Sequence, residues 1–221
     1  MSRRIAMCGL AIVMVGLTPS GVVSQNAEDQ IHASYQKARK AMLEGRYEEA
    51  EEAYKAILKL DPSLAEAHAN LGIVFYLEFK YPEAAETLRQ ALKLRSGLSR
   101  ARLYLGLAQS SLGEYRESIR SLEEALAGGL DAPYRKLAQT HLARDYLALD
   151  ETEKAIKILK PLLDEFPQDA DLLYTLGKAY LAVPAISQPP SVWLTTPRRF
   201  SQRLPRPKGS SYVALRVRIC G

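Results

Sequence analysis

The chain has little of what surface chemistry usually needs. Of its 221 residues, two are cysteine, one is tryptophan, four are phenylalanine and three are histidine. Cys8 falls in an N-terminal apolar run and Cys220 is the penultimate residue, so no disulfide framework and no thiolate metal site follows from them. Almost no apolar run precedes Cys8, which argues against a lipid-attachment cysteine. His32, His68 and His141 lie far apart, and none has a second histidine or cysteine three or four residues away, so metal-ligand spacing is missing. The chain has no glycine-rich phosphate loop, no Gly-x-Ser-x-Gly elbow and no Cys/His pair. Carboxylates abound, as in Glu48-Glu49-Glu51-Glu52 and Glu123-Glu124, but with Lys or Arg nearby they read as solvated helix faces. The expectation is a chain that is not an enzyme and holds no metal and no cofactor.

A run of apolar residues long enough to span a bilayer is also missing. Ile5 to Leu17 gives 13 residues, against the ~20 a spanning helix needs. Preceded by Met1-Ser2-Arg3-Arg4 and broken by Thr18-Pro19-Ser20-Gly21, it reads as an export signal over residues 1–24, cut after Ser24. The expected location is periplasmic or secreted. The alternative is a signal that stays uncleaved and anchors the chain to a membrane.

Acidic residues are absent from both ends, and this accounts for the formal charge of +5. Residues 26–183 hold 21 Lys and Arg against 25 Asp and Glu, a net −4. A nucleic-acid binder carries its basic patch on the folded domain, so nucleic acid is excluded as an expected partner. From Pro184 to Gly221 there are six prolines, seven basic residues and no acid. Such a segment buries too little to fold, and 184–221 is expected to be an irregular, disordered tail.

What the chain does have is a repeat. Gly45-Arg46-Tyr47-Glu48-Glu49-Ala50 returns 34 residues later as Phe79-Lys80-Tyr81-Pro82-Glu83-Ala84. It returns after another 34 as Gly113-Glu114-Tyr115-Arg116-Glu117-Ser118, and after 37 as Asp150-Glu151-Thr152-Glu153-Lys154-Ala155, so three residues are inserted at the last step. A fixed period in this range marks a solenoid, whose units bury a core only by stacking. Each period holds two stretches with helical apolar spacing, such as Ala67, Leu71, Val74 and then Ala84, Leu88, Ala91, joined by a turn. Small residues recur in the first stretch (Ala38, Gly72, Gly106, Ala143, Gly177) and in the second (Ala50, Ala84, Ser118, Ala155), where two backbones can approach closely. Helices are expected over 31–44/47–60, 65–78/81–94, 99–112/115–128, 133–149/152–165 and 170–182.

Leu71-Gly72, Phe75, Tyr81, Ala84, Leu88 and Ala91, with Leu105-Gly106, Tyr115, Leu122 and Ala125, resemble the tetratricopeptide repeat. Units fall at 31–64, 65–98, 99–132 and 136–169, with a partial fifth at 170–183, so the solenoid occupies 25–183. The chain departs from the pattern in lacking the early Trp, in Phe79 at a turn-glycine place and in Thr152 at a turn-tyrosine place. The resemblance implies an all-α, right-handed solenoid of antiparallel helix pairs. With the export signal, it suggests a bacterial secreted or periplasmic member that binds a protein or peptide partner in its concave groove. The groove lining it implies is Tyr35, Arg39, Asn70, Ile73, Tyr76, Arg100, Leu103, Tyr104, Leu107, His141, Arg144 and Lys178. The cations among these make an acidic ligand segment the expected one, with an apolar residue docking near Ile73, Leu103 and Leu107. Two alternatives stand beside this reading: a non-catalytic arm of an envelope peptidase or glycosyltransferase, and an assembly factor or chaperone for exported proteins.

Overall fold

The computed structural model describes residues 20–182, with side chains from Asn26 onward. Most of the expected export signal and all of the expected tail lie outside the described residues. Within them the chain forms nine helices: α1 (Ser20–Leu43), α2 (Tyr47–Leu60), α3 (Ala65–Leu77), α4 (Tyr81–Leu94), α5 (Ser99–Ser111), α6 (Tyr115–Ala127), α7 (Ala132–Ala148), α8 (Thr152–Glu165) and α9 (Ala170–Ala182). Boundaries agree with the periodicity to within a residue or so, except at the start. There α1 begins at Ser20 rather than near residue 31. Nothing from Gln25 to Gln30 breaks a helix, and the Gln30 side chain donates to Asn26 Oδ1 one turn back at 2.9 Å.

Each unit turns back on itself in the same way. Gly45, Phe79, Gly113 and Asp150 stand at equivalent places, and all four are left-handed, with φ of 71°, 63°, 80° and 59°. The following amide reaches five residues back in every case: Arg46 N to Ala41 O, Lys80 N to Phe75 O, Glu114 N to Gln109 O at 2.9 Å each, and Glu151 N to Tyr146 O at 2.8 Å. This is a Schellman closure, which satisfies carbonyls that a helix end would leave bare. Glycine meets its conformational demand freely. Phe79 adopts it against the preference of a bulky side chain, and its ring packs edge-on against Tyr81 at 6.2 Å.

Packing follows the small residues. A Cβ on Gly72 would fall 2.6 Å from Leu88 Cγ, and one on Gly106 2.8 Å from Leu122 Cγ. Leu88 and Leu122 are fully buried, as are Ala84 and Ala125. Each even-numbered helix packs on the odd-numbered helices before and after it, and α3, α5, α7 and α9 also pack directly on one another. Helices α3, α5, α7 and α9 therefore form one continuous layer, and the even-numbered helices back it. A single apolar core runs through the stack from Ala38 to Ala179.

Candidate functional site

The layer of odd-numbered helices presents the face on which the expected groove residues lie, and the structure divides all of them but Tyr35 and Arg39 into three groups. The first group lines a cleft of ≈ 400 Å³ across α3, α5 and α7. Asn70 and Arg100 are half-exposed there, and Ile73 forms part of the wall at 2% exposure. The second lines a smaller cleft of ≈ 290 Å³ between α7 and α9, where Arg144 and Lys178 meet Leu147, Tyr174 and Thr175. Tyr35 and Arg39 on α1 line neither. Tyr35 packs edge-on against Tyr54, with ring centroids 6.1 Å apart, and Arg39 is exposed.

The third group requires correction. Leu103, Tyr104, Leu107 and His141 are buried, as is most of Ile73. Leu103 and Leu107 belong to the apolar core of the stack and do not offer an apolar landing place. Tyr104 lies under Tyr76, the rings 5.4 Å apart and edge-on, and Tyr76 meets Tyr81 in turn at 5.7 Å. Tyr76 remains half-buried at the edge of this aromatic stack. Burial, with a smaller push from Arg144, lowers the His141 pKa to about 3, so its ring is neutral. Its Nε2 has no hydrogen-bond partner. It is not available as a groove cation.

The larger cleft owes its shape to the break in the period. The inserted stretch runs through Gly128 and Gly129 to Leu130 and Asp131. Gly129 is left-handed with φ of 78°, and Ser99 Oγ donates to the Gly128 carbonyl at 2.9 Å, tying the insertion to α5. The longer α7 begins about one turn ahead of its counterparts and brings Tyr134 into the cleft wall. The Arg100 guanidinium lies 5.4 Å from the Tyr134 ring centroid, a cation–π arrangement that holds it in place without neutralising it. The three-residue step in the period marks this site in the sequence, although Tyr134 itself stands outside the repeat pattern.

The charges of the face are mixed. Glu66, at the mouth of the larger cleft, pairs with Arg95, and Arg144 pairs with Asp171 at 3.1 Å. Asp131 lines the larger cleft without capping α7 through its side chain. Of the four expected groove cations, Arg144 is engaged by Asp171, while Arg39, Arg100 and Lys178 have no ion pair among the described residues. Among the described residues no three His, Cys, Asp or Glu side chains come together to hold a metal ion. No described helix is long and apolar enough to cross a membrane.

Helix pairs in a continuous stack, with a clefted face on one layer, define an α-helical repeat scaffold. Models of this class match along most of its length: one described as TPR repeat over residues 42–78, and one described as tetratricopeptide repeat over 80–134 and 140–183. Together they cover more than half of the chain, which belongs to the tetratricopeptide-repeat family. No curated protein matches the sequence. Among solved structures, MamA from Desulfovibrio magneticus RS-1 superposes with a TM-score of 0.63 at 22% identity, covering 69% of this chain and 85% of its own. YrrB, described as a TPR protein with an unusual peptide-binding site, superposes at 0.62 and 21% identity, covering 72% and 80%. The O-GlcNAc transferase of Thermobaculum terrenum, as a K341M mutant, superposes at 0.56 and 24%, covering 63% of this chain but 26% of the transferase. At such identities the likeness is one of fold.

Proposed function

We propose that this protein is an exported, non-catalytic scaffold that binds a partner protein through an extended peptide segment laid across α3, α5, α7 and α9. The observation that carries the reading is the larger cleft, with Arg100 unpaired and braced by Tyr134, beside the half-exposed amide of Asn70. Its ≈ 400 Å³ lies within the usual range for a ligand site, roughly 300–1,000 Å³. A segment continuing along the layer meets Lys178 in the smaller cleft, so acidic side chains or a carboxylate at its ends suit both places. The burial of Leu103 and Leu107 removes the apolar dock from the picture. Polar and ionic contacts therefore carry recognition more than an apolar anchor does. Export to the periplasm or beyond rests on the basic start and short apolar run at the N-terminus.

The test is selection of peptides from a random display library on the full chain, followed by binding measurements on Arg100→Glu and Lys178→Glu. Acidic sequences are expected to be enriched. Arg100→Glu should weaken them by at least tenfold with the far-UV spectrum unchanged, because the side chain is outside the core. Peptides that bind this variant unchanged, but are lost on reversing Lys157 of the outer helix α8, would move the site to the opposite face.

A further inference from the structure

Where α7 meets the α5–α6 pair, one carboxylate is buried. Asp145 is 1% exposed. At its place the other units carry Lys40, Val74, Ala108 and Ala179. Across from it, fully buried, is Ser118, where three other units have Ala50, Ala84 and Ala155. Ser110 Oγ donates to Asp145 Oδ1 at 2.5 Å. Ser118 Oγ lies 2.5 Å from Asp145 Oδ2 and 2.7 Å from the carbonyl oxygen of Gly106.

The protons do not balance if Asp145 is ionised. Ser118 owns one hydroxyl proton and would stand between two acceptors, a carboxylate oxygen and a carbonyl oxygen. One contact would then be bare oxygen against oxygen at hydrogen-bonding distance. A proton on Oδ2 completes the set: the acid donates to Ser118, Ser118 donates to Gly106, and Ser110 donates to Oδ1. Burial favours the same state and raises the Asp145 pKa, opposed by the Ser110 and Ser118 hydroxyls and by the charge of Arg144.

The charged groups around it are engaged elsewhere. On α9, Asp171 holds Arg144. On α6, Glu123 accepts from the Tyr146 hydroxyl at 2.7 Å. At the start of α8, Glu151 and Lys154 pair with each other at 2.5 Å, and Lys154 lies over the Tyr146 ring. From α5 the groups that reach Asp145 and Ser118 are the Ser110 hydroxyl and the Gly106 carbonyl.

We propose that the neutral acid of Asp145, with Ser110 and Ser118, clasps the third unit to the fourth, and that loss of its proton as pH rises releases the clasp. On ionisation Ser118 must turn its proton to the carboxylate and give up Gly106, and a buried anion is left with hydroxyl donors and no contacting cation. Arg144, which precedes Asp145 on α7, lines the smaller cleft, so the joint adjoins that cleft.

The sign follows from linkage. A carboxyl whose folded-state pKa lies above its ordinary 3.8 adds stability that is full below that value and is lost as pH rises through the folded value. Urea unfolding of the full chain, followed by helical circular dichroism at pH 4 and pH 8, compares wild type with Asp145→Asn. Asparagine keeps the acceptor for Ser110 and a donor for Ser118 but does not titrate. The expected result is that the midpoint of Asp145→Asn gains on the wild type between pH 4 and pH 8. Equal pH dependence in the two chains, or a wild type that gains as pH rises, overturns the proposal. Should the variant fail to fold, carbon-13 NMR of the Asp145 carboxyl in the wild type decides. A proton retained above the ordinary carboxylate range supports the clasp, and titration within that range refutes it.

Discussion

Gly72 and Gly106 each lie under a leucine of the helix that follows, whereas Gly177, at the same place in the fifth unit, has no atom of the described residues within 4 Å of where its Cβ would be. All three occupy the equivalent place in the first helix of a unit. In the second and third units the missing side chain is what lets Leu88 and Leu122 reach the helix axis. In the fifth no described helix crosses there, and among the described residues the glycine only weakens its helix. The comparison teaches that a repeat residue acquires its role from the helix stacked on it, not from its own chemistry. Around Gly177 the consequences are visible: Tyr174 is 58% exposed and Leu181 81%, values not reached by their counterparts within the stack.

Three substitutions break or sharpen this contrast, each read from urea or thermal unfolding. Leu122→Ala should have the largest effect, a loss of about 2–5 kcal/mol, because it empties the space Gly106 was shaped to receive. A loss under about 1 kcal/mol would mean that the third unit closes over the gap and that the fit is looser than described. Gly106→Ala should come next, at roughly 1–3 kcal/mol destabilising. The added carbon meets not only Leu122 but also the Ser118 carbonyl oxygen at 3.3 Å, and backbone yields less than a side-chain tip. Gly177→Ala should have the smallest effect and the opposite sign, stabilising by about 0.5–1 kcal/mol through helix propensity alone. Destabilisation there would show that the cradle of the fifth unit is filled after all.

Much of the architecture was legible in the sequence because a repeat reports its own geometry. The phrase beginning at Gly45 marks every turn, and the left-handed place falls on Gly45, Phe79, Gly113 and Asp150 alike. That Phe79 and Asp150 take the same conformation as the glycines means the closure around them is strong enough to override local preference. The site was less legible. Arg100, Asn70, Arg144 and Lys178 do line clefts, but Leu103, Leu107 and His141 were assigned to the groove and are buried. Periodicity places a residue on a side of its helix to within about a third of a turn. That is too coarse to tell a groove-lining place from a core place on the inner helices. Tyr134 and the Gly128–Asp131 stretch escaped for a different reason: they belong to the insertion, where the pattern that guides the reading stops.

The sequence by itself determined the period, the helix pairs, their closing turns and the apolar stack, since these follow from local spacing repeated in phase. It also carried the odd residues out, Ser118 among alanines and Asp145 where three other units have Val74, Ala108 and Ala179, without saying what they do. Only the tertiary structure brought Ser110, Ser118, Asp145 and the Gly106 carbonyl, from three helices, within hydrogen-bonding reach. Only it aligned Arg100 of α5 with Tyr134 of α7. The physical reason is separation. A helix fixes neighbours three and four residues apart, but contacts 27 or 35 residues apart exist only once the units have stacked.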